Sequence, residues 1–271
     1  MKTVSALLFA GLAQAVLEVT SNGVTYIVTH TKNGVELPVV PGPKLDFSSR
    51  SRQRIGKRAT STNWCGVANT NSPGGNWTNI VGAWTVPQIS LRQGQSPGDQ
   101  PSIAQWVGID GDGCGTGLIQ GGTLSQLNSD GSSQSNYAWF EFVPNPLSTF
   151  QMTVNTGDSI SGNVTATGSN TGYITVNNES NGESMTMQIT DGPGTLCGYS
   201  AEWIFEDLTG GNGLLPFAEF PSNQFTGCMA TTSTGQSGDA DGATSIDLVA
   251  NGQTQCSGSG QGTTVQIQST A

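Results

Sequence analysis

The chain has 271 residues, 19 acidic against 9 basic side chains, a single histidine and a formal charge of −10. That surplus of acid argues against nucleic acid as a partner. No apolar run reaches the roughly 20 residues a membrane helix needs, so no membrane span is expected.

Taken in chain order, "MKTVSALLFAGLAQA" combines an early lysine, an apolar stretch and Ala13-Gln14-Ala15. It reads as a signal peptide over 1–15, cleaved after Ala15, and implies a secreted, extracellular protein. Residues 16–58 carry seven basic and three acidic side chains, about +4, and end in the dibasic pair Lys57-Arg58. They read as a basic propeptide. Cleavage after Arg58 would leave a mature domain over 59–271 with Arg92 as its one basic residue, 16 acids and a charge of 1 − 16 = −15. Such a domain suits an acidic working pH, because its self-repulsion fades as the carboxylates protonate near pH 4. The oppositely charged propeptide is then the expected inhibitor, held at neutral pH and loosened in acid.

Within 59–271, apolar residues repeat every second position between clusters of Gly, Asn, Ser and Thr. The predicted strands lie near 64–68, 78–86, 102–109, 117–120, 136–143, 149–154, 158–166, 172–177, 183–190, 200–206, 216–220, 224–231, 244–250 and 263–268. No strong helix is visible. So many short strands in one domain imply an all-β fold of two packed antiparallel sheets. The five cysteines, Cys65, Cys114, Cys197, Cys228 and Cys256, predict two bridges and one leftover thiol, with the pairing open. Asn76, Asn163 and Asn178 head glycosylation patterns.

The composition also removes whole classes of chemistry. His30, the only histidine, lies in the propeptide, and the mature domain has no lysine. This excludes Ser-His-Asp and Cys-His nucleophiles, Ser-Lys pairs and the usual histidine zinc sites. No metal or cofactor is expected. Asp-Thr-Gly and Asp-Ser-Gly, the marks of pepsin-like proteases, are absent. "DGDGCG" over 110–115 lacks the closing Glu of a calcium loop and reads as a tight acidic turn. Carboxylates and amides remain, and a Glu base suits work near its own pKa.

Strand alternation sorts the candidates. In "SAEWIFED", Glu202, Ile204 and Glu206 share a face, opposite Ala201, Trp203 and Phe205. In "NYAWFEFVP", Tyr137, Trp139, Glu141 and Val143 share one, an aromatic face with an acid that suits a ligand groove. Trp106, Gly108 and Asp110 align in "QWVGIDG", and Gln120 closes "TGLIQ".

"NWCGV", "GAWTVP", "QWVGIDGDGCGTGLIQGG", "YAWFEFVP" and "CGYSAEWIFED" occur in this order. Together they resemble the fungal glutamic peptidases (eqolisins), and the resemblance covers the whole mature domain. It implies a jelly-roll, concanavalin-like sandwich of two roughly seven-stranded antiparallel sheets. It also implies a pepstatin-insensitive acid endopeptidase acting on proteins and peptides, as a monomer. Carried over residue by residue, it makes Gln120 and Glu206 the catalytic pair. Trp106, Asp110, Trp139, Glu141 and Glu202 then belong to the substrate cleft. Glu202 is the neighbouring alternative to Glu206, and Gln105 the rival of Gln120. Cys65, Tyr137, Phe142 and Val143 depart from the family pattern and bear on subsite preference.

Two rival readings come from the same residues. A jelly-roll glycoside hydrolase would use Glu202 and Glu206. Four residues of regular strand span about 13 Å, so that pair would need a bulge to reach glycosidase spacing. A non-catalytic carbohydrate-binding sandwich would use Trp106 and Trp139 as stacking platforms.

Overall fold

The computed structural model describes residues 16–21, 24–45, 47–48 and 58–270. The expected signal peptide and Lys57 lie outside the described residues.

The strands, in chain order, are β1 (Val16–Ser21), β2 (Val24–Lys32), β3 (Val35–Leu37), β4 (Arg58–Ser61), β5 (Trp64–Asn69), β6 (Trp77–Thr85) and β7 (Ser102–Ile109). There follow β8 (Leu118–Leu127), β9 (Gln134–Val143), β10 (Ser148–Phe150), β11 (Ser159–Ala166), β12 (Gly172–Asn178), β13 (Glu183–Ile189) and β14 (Ala201–Glu206). The last are β15 (Thr209–Gly210), β16 (Gly213–Leu214), β17 (Asn223–Thr232), β18 (Ser237–Gly238), β19 (Thr244–Ala250), β20 (Gln253–Gln261) and β21 (Thr264–Ser269). A single 3-10 turn, Pro97–Asp99, is the one helical element among the described residues.

The strands form two layers. In one, β2, β13, β12, β11, β6 and β17 are neighbours in that order, all antiparallel. In the other, the order is β10, β9, β8, β7, β14, β5, β19, β20, β21. β17 serves both layers: Asn223–Phe225 pair with β21, and after a register shift beyond Thr226 the strand pairs with β6. A bulge of this kind is how one strand turns a sandwich corner.

Period-two patterning puts the core between the layers. Trp203, Phe205, Val107 and Phe140 of one sheet meet Val164, Ile174, Met187 and Trp84 of the other, all buried. The Trp203 indole donates to the Val81 carbonyl at 2.9 Å, tying the layers with a hydrogen bond inside the apolar core. Cys65–Cys256 and Cys114–Cys197 are the two bridges, and Cys228 is the buried free thiol, its pKa pushed up to about 12 by burial.

Arg92 holds the C-terminal end. Its guanidinium donates to the carbonyls of Phe217, Gln255 and Thr270 and to the Ser269 hydroxyl, pairs with Glu219 at 3.0 Å and lies over the Phe217 ring.

Thirteen of the predicted segments are strands. Around 216–220 there are only isolated bridges, Phe217 to Ser102 and Glu219 to Ser90. β20, "QTQCSGSGQ", escaped prediction because it is nearly all Gly, Ser and Gln, and only its pairing with β19 and β21 makes it a strand.

Candidate active site

The outer face of the second layer carries its own apolar cluster. Trp64, Ala68, Ala104, Trp106, Leu118, Leu124, Trp139, Leu147, Ile204, Leu208 and Ile246 are all buried there, apart from the main core. Strand register fixes which polar groups join them. Gln120 of β8 pairs with Glu141 of β9 and with Gly108 of β7, and Gly108 pairs in turn with Glu202 of β14. The next row is Trp139, Gly122, Trp106 and Ile204. The row after that holds Tyr137, Leu124, Ala104, Glu206 and Trp64. Gln120 and Glu206 therefore project from one face, diagonally either side of Trp106. Both are fully buried.

Glu206 is held at both oxygens. The Trp106 indole Nε1 donates to Oε2 at 2.8 Å, and the Asn63 amide donates to Oε1 at 3.0 Å. Asn63 is itself oriented by the Ser61 hydroxyl at 2.9 Å, and Trp106 by an edge-on contact with Trp64, with ring centroids 5.1 Å apart. Both Glu206 oxygens thus accept from neutral donors. Gln120 donates through Nε2 to Glu141 Oε2 at 2.6 Å, which fixes the amide plane. Its Oε1 is buried and has no hydrogen-bond partner among the described residues. Gly108 matters for this packing: a Cβ there would meet the Trp106 ring at 2.9 Å and Gln120 Cβ at 3.0 Å.

Glu202 differs from Glu206 although they share a strand face. It is fully buried, and desolvation, reinforced by the nearby charges of Asp110 and Asp112, raises its pKa well above the ordinary value. Burial thus favours the protonated form of Glu202, which is a poorer proton acceptor than an ionised carboxylate. β14 keeps continuous register with both neighbours from 201 to 206, without a bulge. Four regular residues separate the two carboxyls by about 13 Å along the strand, beyond the spacing of either glycosidase class.

Asp110, at φ 74°, accepts the backbone N–H groups of Cys197, Gly198 and Tyr199 at 2.7–2.9 Å. Its carboxylate is committed to the loop that leads into β14, so it positions that strand rather than facing the apolar cluster. Gln105 lies on the core face of β7, with Nε2 donating to the Ile103 carbonyl and Oε1 accepting from Thr123. It is a core amide, not a partner of Glu206.

Asn63 escaped notice as a site residue. Its only sequence signal was its place at the head of "NWCGV", since asparagine at a strand entrance reads as turn chemistry.

The upstream segment crosses this face. Gly42 N–H donates to the Thr149 carbonyl, and Thr149 Oγ1 to the Pro43 carbonyl. Leu45 and Phe47 pack against the apolar cluster, and Ser48 exchanges both backbone hydrogen bonds with Thr209, just beyond β14. Residues 38–45 and 47–48 thus run as a strap from β10 towards the Glu206 end of β14.

The Peptidase A4 family matches residues 62–269. Aspergillopepsin-2 of Aspergillus niger is 35% identical over 224 residues, 76% of this chain and 77% of the relative. Scytalidopepsin B of Scytalidium lignicola is 34% identical, over 79% of this chain and 81% of the relative. A crystal structure of scytalido-glutamic peptidase with a transition state analog inhibitor superposes with a TM-score of 0.67 at 32% identity, covering 77% of this chain and 98% of that one. With an all-β sandwich, an amide and a carboxylate on one sheet face, and likeness of this extent, the chain belongs to the Peptidase A4 family and is a glutamic endopeptidase.

Proposed function

We propose that Glu206 is the general base and then the general acid of peptide hydrolysis, and that Gln120 stabilises the oxyanion. Glu206, as a carboxylate, takes a proton from a water molecule while the water oxygen attacks the scissile carbonyl carbon. The carbonyl π electrons move onto oxygen, and the second Nε2 hydrogen of Gln120 donates to that oxyanion. Glu206 then returns its proton to the amide nitrogen, the C–N bond breaks, and the carbonyl re-forms as a carboxylic acid. Losing one preorganised oxyanion donor costs about 100- to 1000-fold in rate, or roughly 3–4 kcal/mol. Trp106 and Asn63 position Glu206, Glu141 positions Gln120, and Trp139 lines the groove. The observation that carries this reading is the diagonal placement of Gln120 and Glu206 around Trp106 on a single sheet face.

The chain is read as a secreted precursor that acts as a monomer. The strap of residues 38–45 and 47–48 supports autoinhibition, since Leu45 and Phe47 cover apolar surface that a substrate would need. Cleavage after Arg58 would free it. Insensitivity to pepstatin follows from the absence of the pepsin-like signatures.

The test uses the mature domain at pH 3 with denatured protein plus pepstatin, and β-glucans in parallel. Proteolysis without glucan cleavage is expected, and Glu206→Gln and Gln120→Ala should each abolish it while circular dichroism stays unchanged. Full activity in either folded variant overturns the assignment.

A further inference from the structure

The strap over the apolar face is the second half of the upstream segment. The first half is a hairpin, β1 and β2, seated on the other layer, and it has its own means of attachment. β2 pairs with β13 over seven residues, from Lys32 opposite Glu183 to Tyr26 opposite Ile189. Among the described residues β13 has two neighbours, β12 and β2, so without the hairpin it is a sheet edge. Val24, Tyr26, Val28 and His30 point inward and are buried, and the Tyr26 hydroxyl accepts from the Asn145 amide at 2.8 Å.

One charged contact stands at the end of this pairing. Glu183, at 5% exposure, accepts at Oε1 from Lys32 Nζ at 3.2 Å and faces His30 Nε2 with Oε2 at 3.4 Å. Oε2 also accepts the Thr153 backbone N–H at 2.8 Å. From β12, the residue opposite Glu183 is the uncharged Asn178, whose amide reaches Asp158, the next carboxylate along that chain of hydrogen bonds. One carboxylate of β13 therefore faces both basic side chains at the end of β2.

We propose that the β13 edge is a docking strand that keeps the pro-segment bound as a separate chain after the cut at Lys57-Arg58, and that protonation of Glu183 releases it. This rests on the precursor reading above and adds the residue that holds and frees the inhibitor. While Glu183 is a carboxylate it pairs with Lys32 and faces the His30 ring. Burial pushes the Glu183 carboxyl up, but the Thr153 donors and the Lys32 ammonium outweigh it and hold the group below its usual range. The sign follows: the grip is present at neutral pH, persists in mild acid, and is lost only as pH falls through the depressed carboxylate range, below about 4. The strap follows the hairpin off the apolar face.

Hydrogen exchange on the full chain tests this. Glu206→Gln serves as background, to prevent self-cleavage, and amides are corrected for intrinsic exchange. Between pH 5 and pH 3, protection of residues 26–32 should fall about tenfold, the size of one charge-assisted hydrogen bond, while β11 and β12 keep theirs. With Glu183→Gln added, protection at pH 5 should already be low and the pH step absent. Lys32→Met, a change at a half-exposed position, should lower protection at pH 5 even if Glu183→Gln fails to fold. Equal protection at pH 3 and pH 5, or a wild-type pH step in folded Glu183→Gln, overturns the proposal. Failure of the catalytic reading shows elsewhere, as acid proteolysis by the Glu206→Gln chain itself, and leaves the exchange result readable.

Discussion

The Trp106 indole donates to Glu206 Oε2 at 2.8 Å, and this one bond links the middle strand of the candidate site to its proposed base. Trp106 sits on β7, between the strands that carry Gln120 and Glu206, so its ring spaces the pair as well as holding one member.

Trp106→Phe keeps an aromatic ring and removes the donor, with some loss of ring volume. A hydrogen bond to a charged group contributes about 1.5–3 kcal/mol, so kcat on a peptide substrate at pH 3 should fall about ten- to hundredfold. KM should change little. Unchanged kcat with a normal melting temperature would show that Asn63 alone suffices to hold Glu206.

Stability should fall as pH rises, against the usual habit of proteins. Burial raises the pKa of Asp207 to about 8, with the neighbouring Glu206 charge adding to it and Arg92 opposing it. Glu202 and Asp110 are also raised, by burial first. A raised folded pKa means stability that is complete below the unfolded value near 4 and is lost as pH climbs towards 8. Calorimetry should show a higher Tm at pH 4 than at pH 7.5. Asp207→Asn and Glu202→Gln, which mimic the protonated forms, should each reduce that difference by removing part of the penalty. A Tm that rises with pH in the unmodified chain would contradict the assignment.

Arg92, the sole cation of residues 59–270, should be costly to remove. Arg92→Met leaves the Gln255 and Thr270 carbonyls without the guanidinium donor and removes the cation beside Glu219, while the Phe217 carbonyl keeps Gln95 and Glu219 keeps the Ser269 hydroxyl. Breaking a buried charge network costs about 3–5 kcal/mol, so urea unfolding should shift by that order. A shift within experimental error would mean the C-terminal strand is held by its β20 and β17 pairings without help from Arg92.

Of the three glycosylation patterns, Asn178 is closed. It is fully buried, its amide donates to Thr153 O and Asp158 Oδ2, and its Oδ1 accepts from Ser180 N. Asn76 is exposed in the turn before β6. Mass spectrometry of protein secreted from a eukaryotic host should find glycopeptide at Asn76 and none at Asn178.

The sequence by itself determined the fold class and the kind of chemistry. Alternation at two residues is a local property, so Trp203 and Phe205 could be sorted from Glu202 and Glu206 without any tertiary contact. The absence of histidine and lysine from residues 59–271 is a fact of composition, and it narrows the candidate acid–base groups there to carboxylates and amides. Strands whose pattern is apolar were legible. β20, rich in Gly, Ser and Gln, was not, because its neighbours rather than its side chains make it a strand. Tertiary structure alone gave residues of the same type different surroundings. Glu206 is separated from Glu202 by Trp106 and Asn63, which come from two other strands or their approaches, and by the buried acids Asp110 and Asp112 beside Glu202. Gln120 is separated from Gln105 by the sheet face each occupies. It also decided that the upstream segment grips one layer through Glu183 and crosses the other with Leu45 and Phe47. Pairings of this range depend on which distant backbone supplies the other half of each hydrogen bond, and no window of sequence contains both halves.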